Sequence, residues 1–180
     1  MNKRLFYLLI AIVGLLAAIH RSIELLSGNY LFGFDQGLFF EAVKKIVVER
    51  KLTLIGAEVG GQGGFFQGPG WYYLLAIPFV LTGGNPYGAM VLMFLIGIAV
   101  VFVSILVGVR LFGKKAGLLI GFLIALSPGI IAQSRFIWPP FPVSLLSVFL
   151  LFFLFKVLDG KKRFLPFAAA TVGLFFHFEV

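Results

Sequence analysis

The chain contains no cysteine, so disulfides and thiol chemistry are excluded. Charge is scarce too: Asp, Glu, Lys and Arg make up 12% of the residues, against about a quarter in a soluble domain. There are two histidines, and neither an HExxH motif nor a carboxylate pair at helical spacing, so no metal cluster can be drawn from the sequence. No Ser-His-Asp arrangement can be drawn either. The glycine-rich run from Gly60 to Gly70 has no lysine at P-loop spacing and no strand before it, which argues against a nucleotide cradle.

What is present is apolar. The 180 residues are 61% hydrophobic with a mean hydropathy of +1.07, the composition of an integral membrane protein. The net charge of +8 would point to nucleic acid in a soluble chain. Here the basic residues lie between apolar runs, so the charge is read as membrane topology and no nucleic-acid partner is expected.

Leu5–His20 is a run of sixteen uncharged residues. At ~1.5 Å per residue it spans roughly 24 Å, slightly short of a ~30 Å hydrocarbon core. Arg21 can snorkel, and Ile23, Leu25 and Leu26 extend the apolar face. Ala17-Ala18-Ile19 is a poor small-x-small cleavage site, so a retained span is expected rather than a leader. Lys3, Arg4, Arg110, Lys114, Lys115, Lys156, Lys161, Lys162 and Arg163 flank apolar runs with one acid, Asp159, among them. Residues 21–58 carry five basic and five acidic residues. The positive-inside rule places the first group in the cytoplasm and this stretch outside. The expected fold is an all-α, polytopic bundle with five spans, at about 5–26, 87–109, 116–134, 141–158 and 164–178, and an outer loop over 27–86. The amino terminus is expected to be cytoplasmic.

Within the outer loop, Phe39, Ala42, Val43, Ile46 and Val47 recur at helical spacing, which predicts an amphipathic helix over Phe34–Leu52 lying in the interface plane. Glu41–Lys45 and Lys45–Glu49 are i, i+4 pairs on its other side. Trp71–Leu81 is too short to span comfortably and suits a re-entrant or interfacial helix, with Trp71, Tyr72 and Tyr73 at headgroup level.

Three ionisable residues land on the outer face. Asp35, at the head of the amphipathic helix, is either an N-cap or a general base or cation ligand. Arg135, at a span end, is either an interfacial snorkel or a bidentate phosphate contact. His177, in an apolar helix end, is a structural histidine or a ligand.

The order of these features resembles the GT-C superfamily of integral-membrane glycosyltransferases, which includes the protein O-mannosyltransferases and the aminoarabinose transferase of lipid A. The similarity rests on several stretches in order. They are Phe34-Asp35-Gln36-Gly37, the helix that follows, and Gly68-Pro69-Gly70-Trp71-Tyr72-Tyr73-Leu74-Leu75. Then come Arg110-Leu-Phe-Gly113, Ala116-Gly-Leu-Leu119, Leu126-Ser-Pro128, Ser134-Arg135 and His177.

The resemblance implies transfer of a sugar from a polyprenyl-phosphate carrier to a lipid, glycan or protein acceptor on the outer face of a prokaryotic plasma (inner) membrane. Asp35 would be the catalytic carboxylate. Arg135, Lys44 and Lys45 (with Arg50 or Lys51) would hold the carrier phosphate, and Gln36, Tyr72, Trp138 and His177 would complete the substrate contacts. Many members carry a second acid after Ser-Arg; here Phe136-Ile-Trp138-Pro139-Pro140 has none, so a two-loop metal site is not expected and the mechanism is read as metal-independent, without a cofactor. Members also have eight or more spans, so the chain is expected to be the amino-terminal part of a longer module. The alternative is a non-catalytic membrane protein: a lipid-linked sugar flippase or transporter fragment, or an inactive scaffold. Transport would favour ionisable residues inside the spans and internal repeats; no ionisable residue falls at mid-depth in any expected span, and no repeat is seen.

Overall fold

A computed structural model describes residues 1–59 and 63–178. Among these the protein is all-helical: α1 (Lys3–Arg21), α2 (Ile23–Ser27), α3 (Phe34–Val47), α4 (Gly70–Leu81), α5 (Tyr87–Phe112), α6 (Lys114–Leu126), α7 (Pro128–Gln133), α8 (Val143–Leu158), a 3₁₀ turn at Lys162–Phe164 and α9 (Leu165–Phe175). Two helices, α1 with 19 residues and α5 with 26, are long and apolar enough to cross a membrane. The other expected spans are apolar helices of fewer residues. The one expected over 116–134 is divided, because Pro128 has no N–H to continue α6 and Ser127 turns extended before α7 begins.

α5 is the hub, and α6 lies against it through small residues. Gly117, Gly121 and Ala125 recur every fourth residue and form the buried face of α6, opposite Val101, Ser104, Ile105 and Gly108 of α5. A methyl built on Gly117 would stand 2.6 Å from Val109 N and 2.8 Å from Ile105 O, so the two backbones touch. Close approach through small residues is how helices associate where lipid supplies no hydrophobic drive. Val13 and Ala17 of α1 complete this cluster.

A second core gathers Phe39 and Val43 of α3, Trp71 and Leu75 of α4, Ala89, Met90 and Met93 of α5, and Ile137. It changes three expectations. The apolar stripe of α3 is consumed by protein, with Phe39, Val43 and Ile46 buried, rather than laid on lipid. Trp71 is buried in this core against Phe39 rather than exposed as a free interfacial anchor. The helix predicted to reach Leu52 stops at Val47; Arg50 adopts the left-handed conformation (φ 56°), which ends the run. Glu41 pairs with Lys45 at 3.1 Å as the spacing predicts, but Glu49 lies beyond the helix and pairs with Lys51 at 2.9 Å.

The three basic segments meet at one end of the bundle. Lys114 lies over Phe6, Arg110 over Phe152, and Phe152 packs on Phe164, which joins the start of α1, the α5–α6 turn and the α8–α9 turn. The opposite end collects every candidate site residue.

Candidate functional site

The start of α3 builds the site. Gly33 is the extended N-cap residue, and its N–H donates to the side-chain oxygen of Gln36 at 2.9 Å. Gln36 is buried, and its amide nitrogen donates to Ile137 O at 3.1 Å. It therefore fastens the head of α3 to the proline-rich turn before α8. Asp35, one residue earlier, is left pointing outward and exposed. Its carboxylate has no hydrogen bond or ion pair among the described residues. The N-cap reading of Asp35 is thereby corrected: Gly33 holds that position, and Asp35 lies within the first helical turn.

Asp35 lines a cleft of about 620 Å³ together with Tyr72, Trp138, Glu58, Gln67 and the Pro139-Pro140 turn. The aromatic wall is built of rings in mutual contact. Phe39 sits 6.1 Å from Trp71, 6.0 Å from Trp138 and 6.4 Å from Tyr72, and Phe136 stacks on Trp138 at 5.7 Å. Burial pushes the Tyr72 phenol above its ordinary value, so at neutral pH it stays an O–H. The opposite wall is a short antiparallel pairing. Gly56 N–H donates to Gln67 O at 2.8 Å, Gln67 N–H to Ala57 O at 2.9 Å, and Val59 N–H to Phe65 O at 2.9 Å. This pairing carries Glu58 into the cleft, and Glu58 accepts from Gly63 N–H at 2.8 Å. Sequence reading missed Glu58 and Gln67; the only signal was an acid within the outer-loop charge tally. Among the described residues, no three His, Asp or Glu side chains come together as a metal-binding group. Asp35 and Glu58 are the cleft's acids.

The other candidates lie elsewhere. Lys44 and Lys45 line a neighbouring open groove of about 810 Å³ with Phe32, Phe40 and Phe79. Arg135 is engaged within the protein: its Nη1 donates to Glu24 Oε1 at 3.1 Å and its Nε lies 2.9 Å from Glu24 Oε2. The same guanidinium donates to His20 O through Nε at 2.9 Å and through Nη2. His177 accepts from Gly70 N–H at Nδ1, 3.2 Å away, while Gly68 N–H donates to Phe176 O at 2.7 Å. Gly68 and Gly70 lie flat against the imidazole, and a methyl at Gly68 would overlap Nδ1. His177 therefore clamps the loop leading into α4 and stands apart from the Asp35 cleft.

Arg21, expected to snorkel, is instead 1% exposed. Its guanidinium donates to Ala125 O at 2.9 Å, Ile124 O at 3.1 Å and Ala17 O at 3.3 Å. The first two carbonyls end α6, where the break at Pro128 removes their helical partners and the helix dipole favours a cation. Gly97 leaves room for this side chain, since a methyl there would lie 3.2 Å from Arg21 Cδ.

No protein-family model, curated protein or solved structure matches the chain.

Proposed function

We propose that the protein is a GT-C-like membrane glycosyltransferase, crossing the membrane five times, that moves a sugar from a polyprenyl-phosphate carrier to a hydroxyl-bearing acceptor. The observation that carries this reading is the unpaired carboxylate of Asp35 in an open cleft walled by Trp138 and Tyr72. Binding clefts of this kind combine aromatic walls with a few placed polar groups. In the transfer, Asp35 takes the acceptor proton while the acceptor oxygen forms a bond to the anomeric carbon. The bond from that carbon to the phosphate oxygen breaks, and the polyprenyl phosphate leaves with the electron pair. Lys44 and Lys45, on the adjoining groove, meet the charge that grows on the phosphate. Arg135 is assigned a positioning role, holding Glu24 and the end of α1 beneath the turn that carries Trp138.

The transporter alternative needs an ionisable side chain available inside the bundle. Among the described residues Arg21 is the fully buried one, and both its Nη atoms are spent on backbone carbonyls.

The test is Asp35→Asn in a form of the protein first shown to transfer sugar from a polyprenyl-phosphate donor. Transfer is expected to fall by roughly 10²–10⁴, the share of a general base. The melting temperature should barely change, because Gly33 and Gln36, not Asp35, organise the helix start. Full transfer by the Asn variant would remove Asp35 from the chemistry.

A further inference from the structure

The end of the bundle opposite the Asp35 cleft carries a feature that glycosyl transfer does not use. α5 and α8 together line a groove of about 200 Å³ there, formed by Val103, Leu106, Val107, Phe149 and Phe153 with Arg110. Phe152 also lines the groove, and two cations lie over its ring: the Arg110 guanidinium carbon at 5.9 Å and Lys156 Nζ at 5.4 Å from the centroid. Lys161, Lys162 and Arg163 follow within the next turn. Among the described residues none of these five forms an ion pair, and Asp159 is the only acid in the segment. Cation–π contact offsets some desolvation of each head group, but it leaves their mutual repulsion uncompensated.

We propose that this groove binds an anionic glycerophospholipid, with one acyl chain between α5 and α8 and the phosphate between Arg110 and Lys156. The apolar lining suits a chain and nothing polar; the paired cations suit one phosphodiester. Basic pockets between membrane helices recognise acidic head groups by this combination. The proposal requires only that the bundle sit in a bilayer and does not depend on the transferase reading. Scattered basic residues would satisfy the positive-inside rule without sharing one ring that lines an apolar groove.

The experiment measures lipid retained by the purified full chain in native mass spectra after exchange into mixed micelles. Phosphatidylglycerol is the probe, phosphatidylcholine the neutral control and inorganic phosphate a soluble competitor. The parent should retain one phosphatidylglycerol, preferred over phosphatidylcholine by about tenfold or more. Arg110→Gln with Lys156→Gln should abolish the preference. Lys161→Gln with Lys162→Gln, which removes equal charge at the same end, should leave it nearly intact. Val107→Phe keeps every charge but fills the groove, and should also weaken retention. Melting profiles establish that each variant is folded. Equal loss in both double variants would reduce the effect to bulk charge and overturn the site. Displacement by inorganic phosphate, or no effect from filling the groove, would overturn the acyl-chain assignment.

Discussion

Replacing Arg21 with Met tests the account of how α6 ends. Met retains most of the side-chain volume in the lane beside Gly97 but removes the guanidinium. Ala17 O keeps its place in the α1 ladder, so the damage falls on α6. Ala125 O loses its 2.9 Å partner, and Ile124 O keeps only a long 3.4 Å contact from Ser127 N–H. A buried carbonyl left unpaired costs about 1–3 kcal/mol. Loss of a cation at a partly buried helix C-terminus adds up to ~2 kcal/mol. Relief of the desolvation of a buried charge acts in the opposite direction. The expected net destabilisation is about 1–4 kcal/mol, read from SDS or thermal unfolding of the detergent-solubilised protein by circular dichroism. Arg21→Lys should lose about half as much, because an ammonium keeps the charge but lacks the fork that spans two carbonyls. Pro128→Ala restores an N–H to Ile124 O, so Arg21→Met should cost roughly 1 kcal/mol less in that background. If Arg21→Met unfolds within about 0.5 kcal/mol of the parent, as a surface substitution does, Arg21 is not the cap of α6.

Gly68→Ala is expected to destabilise by about 1–3 kcal/mol, because the methyl overlaps His177 Nδ1 and displaces the ring from Gly70 N–H. Most of that loss should disappear in a His177→Ala background, checked by a double-mutant cycle on the melting curves; full additivity would sever the clamp. A cysteine at Phe65 should react with a membrane-impermeant thiol reagent in intact cells while one at Lys115 should not, as the basic end predicts. Equal labelling would end the proposed topology.

Features repeated along one element were legible in the sequence. The buried face of α3 follows from the spacing of Phe39, Val43 and Ile46, because a 3.6-residue period places them on one stripe whatever they pack against. The gathering of the basic segments at one end was legible too, since antiparallel apolar helices return alternate connections to the same side. The long apolar runs pointed to helices, which satisfy their own backbone groups within each segment. Which partner each polar side chain takes was decided elsewhere. Gln36 reaches Ile137 across 101 residues, Arg21 reaches Ala125 across 104, Gly70 meets His177 across 107 and Arg135 meets His20 across 115. Such contacts leave no period in the chain. They depend on a carbonyl freed by a proline, a glycine thin enough to admit a ring, and a turn that lies beside a helix start only once the bundle has closed. Hence Asp35 stood out in the sequence as an acid, while only the packed structure distinguished it from Arg135 and His177 by leaving its carboxylate unpaired in the cleft and fastening the other two to the backbone.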